Sequence, residues 1–217
     1  MRPFGSQRPR LGSSTTWDRV ARLYDLQLRL ERPALDRAVA LAGVAADERL
    51  LDVATGTGGL LHRLADRPVR PTSVVGVDAS SAMLARARPL PDGWELVKAD
   101  ARGLPFEDAT FDVVTAAYLF HTLDKQARGD ILAECRRVLR GDGRLVTVTV
   151  SRPRSRVGAR LAGPIIWLAR RSSGALAGLR PLDPRSEIEA AGFTVERAAA
   201  VGGAGYPSLC VLARAVP

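Results

Sequence analysis

Cysteine and histidine are scarce: Cys135, Cys210, His62 and His121 are all the chain has, and none falls in a CxxC-like spacing. A structural zinc site needs about four such ligands at close spacing, so metal chemistry of that kind is not expected. Two lone thiols fit a reducing compartment, which places the expected location in the cytoplasm. Aromatic residues are only 5% of the chain, too few for the stacking face that single-stranded nucleic-acid binders use. Lysine is nearly absent. No apolar run approaches the ~20 residues that span a bilayer, the longest in the last third being Ile165 to Ala169. Met1 to Thr16 lacks the apolar core of a secretory signal.

Arginine is what the chain has in excess. It supplies almost all of a formal net charge of +9 and a pI near 10.8. Such a charge favours an anionic partner, a membrane surface or a nucleic acid. The same charge also follows from a composition rich in Arg, Ala, Gly and Pro. The 217 residues suit one domain, and 46% hydrophobic residues can form a full core.

Residues 1–16 combine Arg2, Arg8 and Arg10 with Pro, Gly and Ser and no acid, and read as a flexible basic arm. An organelle transit peptide is the alternative for this stretch. From Trp17 an apolar stripe at helical spacing runs through Val20, Leu23 and Tyr24 and breaks near Pro33. A second helix is expected over Ala34 to Ala42.

The stretch Arg49 to Leu61, RLLDVATGTGGLL, organises the rest of the chain. A buried strand carrying Asp52 runs into Gly56-Thr57-Gly58-Gly59, and a helix resumes at Leu60. Backbone without Cβ atoms can turn sharply and approach a ligand, with helix N–H groups aimed at it. Asp78 then closes a second strand, Ser73 to Val77, about 20 residues beyond the glycine turn. A carboxylate at that place can accept from both hydroxyls of a ribose. Ser80 caps a helix over Ala82 to Arg88, and a third strand, Trp94 to Ala99, ends in Asp100. A fourth strand, Phe111 to Ala117, leads into Tyr118, Phe120 and His121. A helix over Lys125 to Leu139, stopped by Gly141-Asp142-Gly143, precedes a fifth strand over Leu145 to Val150.

This alternation predicts an α/β domain whose mostly parallel sheet carries helices on both faces, with its ligand at the carboxyl ends of the strands. Residues 151–181 break the rhythm with seven arginines, no acid and an apolar Ile165-Ile166-Trp167-Leu168 centre. They read as a lid-like insertion. A short helix over Ser186 to Ala191 and strands over Phe193 to Val201 and Ser208 to Arg214 complete residues 17–217 as one domain.

With these motifs in place, the chain resembles the class I S-adenosylmethionine (SAM) dependent methyltransferases, and within them the ubiquinone/menaquinone C-methyltransferase-related group. The matching pieces are LLDVATGTGGL, VVGVDASSAML, VKADARGLPFEDATFDVVTAAYLFHTL and ILAECRRVLRGDGRLVTVTV, with WDRVARLYD near the N-terminus. The resemblance implies a Rossmann-like sheet of seven strands, the last antiparallel, and SAM as cofactor. It places Asp52 at the methionine amino group, Gly56 and Gly58 where backbone meets cofactor, and Asp78 on the ribose. Ala79 and Met83 would pack by the adenine, Asp100 would accept from its amino group, and Ala101 would offer a backbone N–H. Tyr24 would close over the methionine end, and Ala54, Thr57 and Ala117 complete the cofactor set. Met83 serves equally as core filling.

Among side chains near the strand ends, only His121 titrates near neutrality, which makes it the candidate base, with Tyr118 positioning the acceptor. His62 reads as a solvated or packing residue. A nicotinamide site would want a third glycine where Leu61 stands. The acceptor is expected to be small and hydrophobic: a quinone precursor, a lipid or a natural product. Residues 152–180 have the composition of a segment that touches the inner, anionic face of a membrane. A nucleic-acid methyltransferase and a SAM-binding protein without activity are the alternatives.

Overall fold

A computed structural model describes residues 29–152, 180–202 and 207–216. Tyr24, the arm over 1–16 and most of the segment at 151–181 therefore lie outside the described residues. A seven-stranded sheet in the order β3-β2-β1-β4-β5-β7-β6 forms the centre. Its strands are β1 (Arg49–Val53), β2 (Ser73–Asp78), β3 (Trp94–Lys98), β4 (Phe111–Ala117), β5 (Leu139–Val150), β6 (Phe193–Val201) and β7 (Ser208–Ala215). The helices are α1 (residues 29–42), α2 (Gly59–Ala65), α3 (Ser81–Arg86), α4 (Lys125–Val138) and α5 (Arg185–Ala190). β1 to β5 pair in parallel, and β7 runs antiparallel to both β5 and β6. The expected sheet, with only its last strand reversed, is the one observed.

Strand alternation divides the core in two, because successive side chains point to opposite faces. Leu51, Val75, Val114 and Leu145 pack beneath α4, where Ile131, Leu132, Cys135 and Val138 form the apolar stripe. Leu50, Val74, Val113 and Val146 pack instead against Ala34, Leu35 and Ala38 of α1 and Leu60, Leu61 and Leu64 of α2. Both faces of the sheet are covered, as a parallel sheet requires. Caps fix the helix starts. Ser80 Oγ accepts from Met83 N–H, as its position predicts, and Asp124 Oδ1 accepts from Ala127 N–H at 2.9 Å.

Two expectations are corrected. The helix at residues 29–42 runs through Pro33. Proline removes one backbone donor, but Pro33 lies on the exposed side, while Ala34, Leu35 and Ala38 hold the opposite side in the core. Secondly, Gly141-Asp142-Gly143 does not end a helix. α4 stops at Val138, where Leu139 turns extended, and the glycines form an irregularity inside β5, between the pairs Phe111↔Leu139 and Val113↔Arg144. A Cβ on Gly143 would lie 2.8 Å from Leu139 Cδ2 and 3.0 Å from the Arg140 carbonyl, so the crowded bulge selects glycine.

Candidate cofactor site at the strand ends

β1 and β2 deliver the two central acids to the same edge. At the end of β2 the Asp78 carboxylate accepts from Gly56 N–H at 2.9 Å and from Ser80 N–H at 2.8 Å. It therefore holds the glycine loop against the second strand. Each carboxylate oxygen has further lone-pair capacity, so a ribose hydroxyl can still be accepted there. Gly56 sits at φ +58°, a left-handed conformation open to glycine at little cost. Ala54 and Tyr118 adopt the same region, at φ 55° and 57°. For residues with a Cβ this costs about 1–3 kcal/mol, a strain that collects at binding sites.

Two cavities meet at Ala54. The larger, about 400 Å³, is lined by Asp78, Ala79, Asp100, Ala101, Arg102 and Leu119 among others. The smaller, about 160 Å³, is lined by Glu31, Asp52, Thr55, Gly56, Thr57, Ala117 and Tyr118 among others. Most of the residues singled out from the sequence line one or both; Gly58, Met83 and His121 do not. A third cavity of about 540 Å³, beside α5 and β6, shares no residue with them.

Asp52 is the electrostatic centre of the smaller cavity. It is 1% exposed, and Thr115 Oγ1 donates to it at 2.6 Å. Burial raises its pKa to about 6, against the opposing Thr115 and Thr55 hydroxyls and with a further push from the Asp78 charge. The Thr55 hydroxyl is buried too and has no partner of normal hydrogen-bond geometry among the described residues. A buried acid in a cavity lined by no arginine or lysine among the described residues has the charge to receive a cation such as an ammonium group. The apolar and alanine-rich larger cavity, with Asp78 at its rim, fits the nucleoside end.

Four of the residues singled out from the sequence have contacts that the sequence reading did not include. The open side of Gly58 faces α3 and its neighbours, since a Cβ there would lie 3.1 Å from Ala87 Cβ and 3.3 Å from His62 Nε2. Its glycine serves the left-handed N-cap of α2 and close helix packing. Met83 is half-buried and lines neither cavity. Asp100 reaches the larger cavity, but its carboxylate is already engaged by the Arg102 guanidinium, at 2.6 Å at the shortest, and by Arg102 N–H. That pairing holds its pKa down at about 2.

His121 is the fourth. It lies in a short 3-10 turn, Phe120–Thr122, buried to 7% exposure, and its Nδ1 has no partner among the described residues. Burial lowers its pKa to about 4, so it is a neutral and weak base at physiological pH. Its ring meets Tyr118 edge-on at 6.0 Å, and the Tyr118 hydroxyl meets Ser208 Oγ at 2.8 Å. Sequence reasoning missed Glu31, Thr55 and Ser208. Thr55 sits within the glycine motif, whereas Glu31 and Ser208 come from distant elements that no local pattern connects to it.

The fold and this edge define a Rossmann-like α/β domain. Residues 50–143 match the family model described as a methyltransferase domain. The demethylmenaquinone methyltransferase of Thermotoga maritima is 39% identical over 146 residues, 64% of this chain and 62% of that protein. The ubiquinone/menaquinone biosynthesis C-methyltransferase UbiE of Geotalea uraniireducens is 34% identical over 149 residues, 64% and 63% of the two chains. Among solved structures, the magnesium protoporphyrin IX methyltransferase of Synechocystis with bound SAH aligns at a TM-score of 0.66 and 19% identity, covering 93% and 95% of the chains. The chain is thus similar, over this part of its length, to quinone methyltransferases that include UbiE. It spans a little over three-fifths of the length of these curated relatives.

Proposed function

We propose that this protein transfers a methyl group from SAM to a small hydrophobic acceptor, of the quinone-precursor, lipid or natural-product class. The observation that carries this reading is Asp52, a buried carboxylate beside the buried Thr55 hydroxyl, in a cavity that meets the Asp78 pocket at Ala54. When bound, SAM supplies an electrophilic sulfonium methyl.

The chain's own part is to hold and align. Asp52 and Thr55 receive the amino-acid end, Asp78 the ribose, and Ala79 and Ala101 flank the base. Asp100 reaches the adenine amino group only by releasing Arg102, and an exposed pair of this kind yields to a competing donor. Tyr118, fixed by Ser208, walls the smaller cavity on its acceptor side. Positioning of this kind accounts for much of the acceleration of a displacement. His121 acts as packing beneath Tyr118, and a pre-ionised or activated acceptor supplies its own electron pair.

The names of the quinone methyltransferase relatives support a quinone-type acceptor. No helix among the described residues is long and apolar enough to cross a membrane. A lipophilic acceptor would then be met at a membrane surface, and the arginines of residues 152–180 suit a peripheral contact there. The test is isotopic methyl transfer from SAM into a whole-cell extract separated into lipid, RNA, protein and small-molecule pools. Label in the lipid or lipophilic small-molecule pool is expected. Label confined to RNA would make it a nucleic-acid methyltransferase. SAM binding without label in any pool would leave a non-catalytic binder.

A further inference from the structure

The larger cavity has one wall that belongs to the sheet and one that does not. Ala54 and Asp78 stand at the ends of β1 and β2, whereas Leu119, Leu123, Ala127 and Ile131 come from the 3-10 turn and the first half of α4. The turn bonds itself locally, from Thr122 N–H to the Leu119 carbonyl at 3.0 Å and from Leu123 N–H to the Phe120 carbonyl at 3.3 Å. The Leu123 carbonyl lies outside the α4 ladder, whose first bond runs from Arg128 N–H to the Asp124 carbonyl. A wall of this kind needs an anchor from elsewhere to hold its place.

Arg128 is that anchor. Its Nη1 donates to the Leu123 carbonyl at 2.6 Å, while Nε and Nη2 fork onto the two Glu187 carboxylate oxygens at 2.5 and 2.8 Å. The two side chains are 14% and 21% exposed, so water competes little for these charge-assisted bonds. Glu187 stands on α5, which packs against β6 and α4. One guanidinium therefore ties the turn that walls the cavity to a second helix. A lysine ammonium lacks the planar fork that makes all three bonds at once.

We infer that Arg128 is a positioning residue of the cofactor site, fixing Leu123 and with it the wall of the larger cavity that faces the nucleoside. The inference rests on the methyl-transfer reading and adds to it a residue that touches neither cofactor nor acceptor. Its contribution is preorganisation: a wall held in place before binding need not be ordered by the ligand. The nucleoside is common to SAM and to its product, S-adenosylhomocysteine, so the two gain alike.

Calorimetric titration of wild type, Arg128→Met and Glu187→Gln with SAM and with S-adenosylhomocysteine, each well below its melting midpoint, tests it. Arg128→Met keeps the apolar stem and removes all three bonds, whereas Glu187→Gln breaks the ion pair and leaves Arg128 able to hold Leu123. Both variants are expected to melt below wild type. Arg128→Met is expected to weaken both ligands alike, by about five- to tenfold, and Glu187→Gln to change them by less than about twofold. Arg128→Lys, which keeps the charge without the fork, is read in the same way if Arg128→Met does not fold. A lower melting temperature with unchanged affinities makes Arg128 merely structural and overturns the assignment. Equal weakening by Glu187→Gln, or weakening of SAM alone, overturns it too and leaves the methyltransferase reading intact. A wild type that binds neither compound removes the parent reading as well.

Discussion

Tyr118 and Ser208 meet hydroxyl to hydroxyl at 2.8 Å, joining the end of β4 to the start of β7 across a separation of 90 residues. Tyr118 is held in a left-handed backbone conformation and its N–H donates to the Val148 carbonyl at 2.7 Å. The side-chain bond thus closes a turn that is already strained. Tyr118→Phe keeps the ring and loses about 1 kcal/mol of net hydrogen bonding. The melting temperature is expected to fall by about 2–4 °C in a chain of this size. A variant that melts with wild type would show that the pair does not hold the turn.

If Asp52 receives the donor's ammonium as proposed, donor binding has a pH dependence. In the absence of ligand Asp52 titrates at about 6, above its ordinary 3.8. Above that pH it is ionised and can meet a cation; below it the charge is lost. SAM affinity is expected to be flat from pH 7 to 8 and to weaken as pH falls through 6, by up to about tenfold per unit. Asp52→Asn should abolish the step and bind weakly throughout. Affinity unchanged between pH 5 and 8 would remove Asp52 from the ammonium site.

His121 and Asp52 pull stability in opposite directions. The folded pKa of His121, about 4, lies below its ordinary 6.5, so between those values the unfolded chain binds more protons. The histidine therefore destabilises the fold progressively as pH drops from 6.5 to 4. Asp52, raised from 3.8 to about 6, binds more protons when folded, so it destabilises as pH rises across that window. His121→Leu removes only the first effect. Its melting temperature relative to wild type is expected to be higher at pH 5 than at pH 7.5, and a constant difference would contradict burial as the cause. His121→Gln, for its part, should turn over within a few-fold of wild type at saturating cofactor. A loss of 10²-fold or more would restore it as the general base.

Arg102 competes for Asp100. Both side chains are more than half exposed, and the guanidinium grips both carboxylate oxygens. Arg102→Ala should free Asp100 for the adenine amino group and leave SAM affinity equal or a few-fold tighter. Marked weakening would mean that Arg102 itself contacts the cofactor and that Asp100 serves to hold it.

Local pattern disclosed the frame of the molecule because it is written in contiguous residues. β4 and β6 have the expected bounds, and the Ser80 cap sits where its spacing to Met83 puts it. The glycine loop and the acids at β1 and β2 come from a single strand-turn-helix phrase. The hidden part depends on tertiary neighbours. Pro33 looks like a helix end unless the apolar side of α1 is known to be clamped in the core. Gly58 looks like a ligand contact until Ala87 appears against it, and Gly141-Asp142-Gly143 looks like a stop until its register with Asp112 is seen. His121 resembles a base in sequence because burial, which lowers its basicity, is not a local property.

The reversed strand sets an order of assembly. β7 lies between β5 and β6, so β6 has no neighbour in the sheet until the strand made after it has been inserted. On the ribosome, β1 to β5 can zip together as they emerge, each parallel pair completed by a later segment, whereas β6 must wait unpaired for Ser208–Ala215. Ser208 arrives with that strand, so Tyr118 meets this hydroxyl only once β7 has been made. A nascent chain stalled before this point would carry the glycine loop and both central acids yet lack the finished wall.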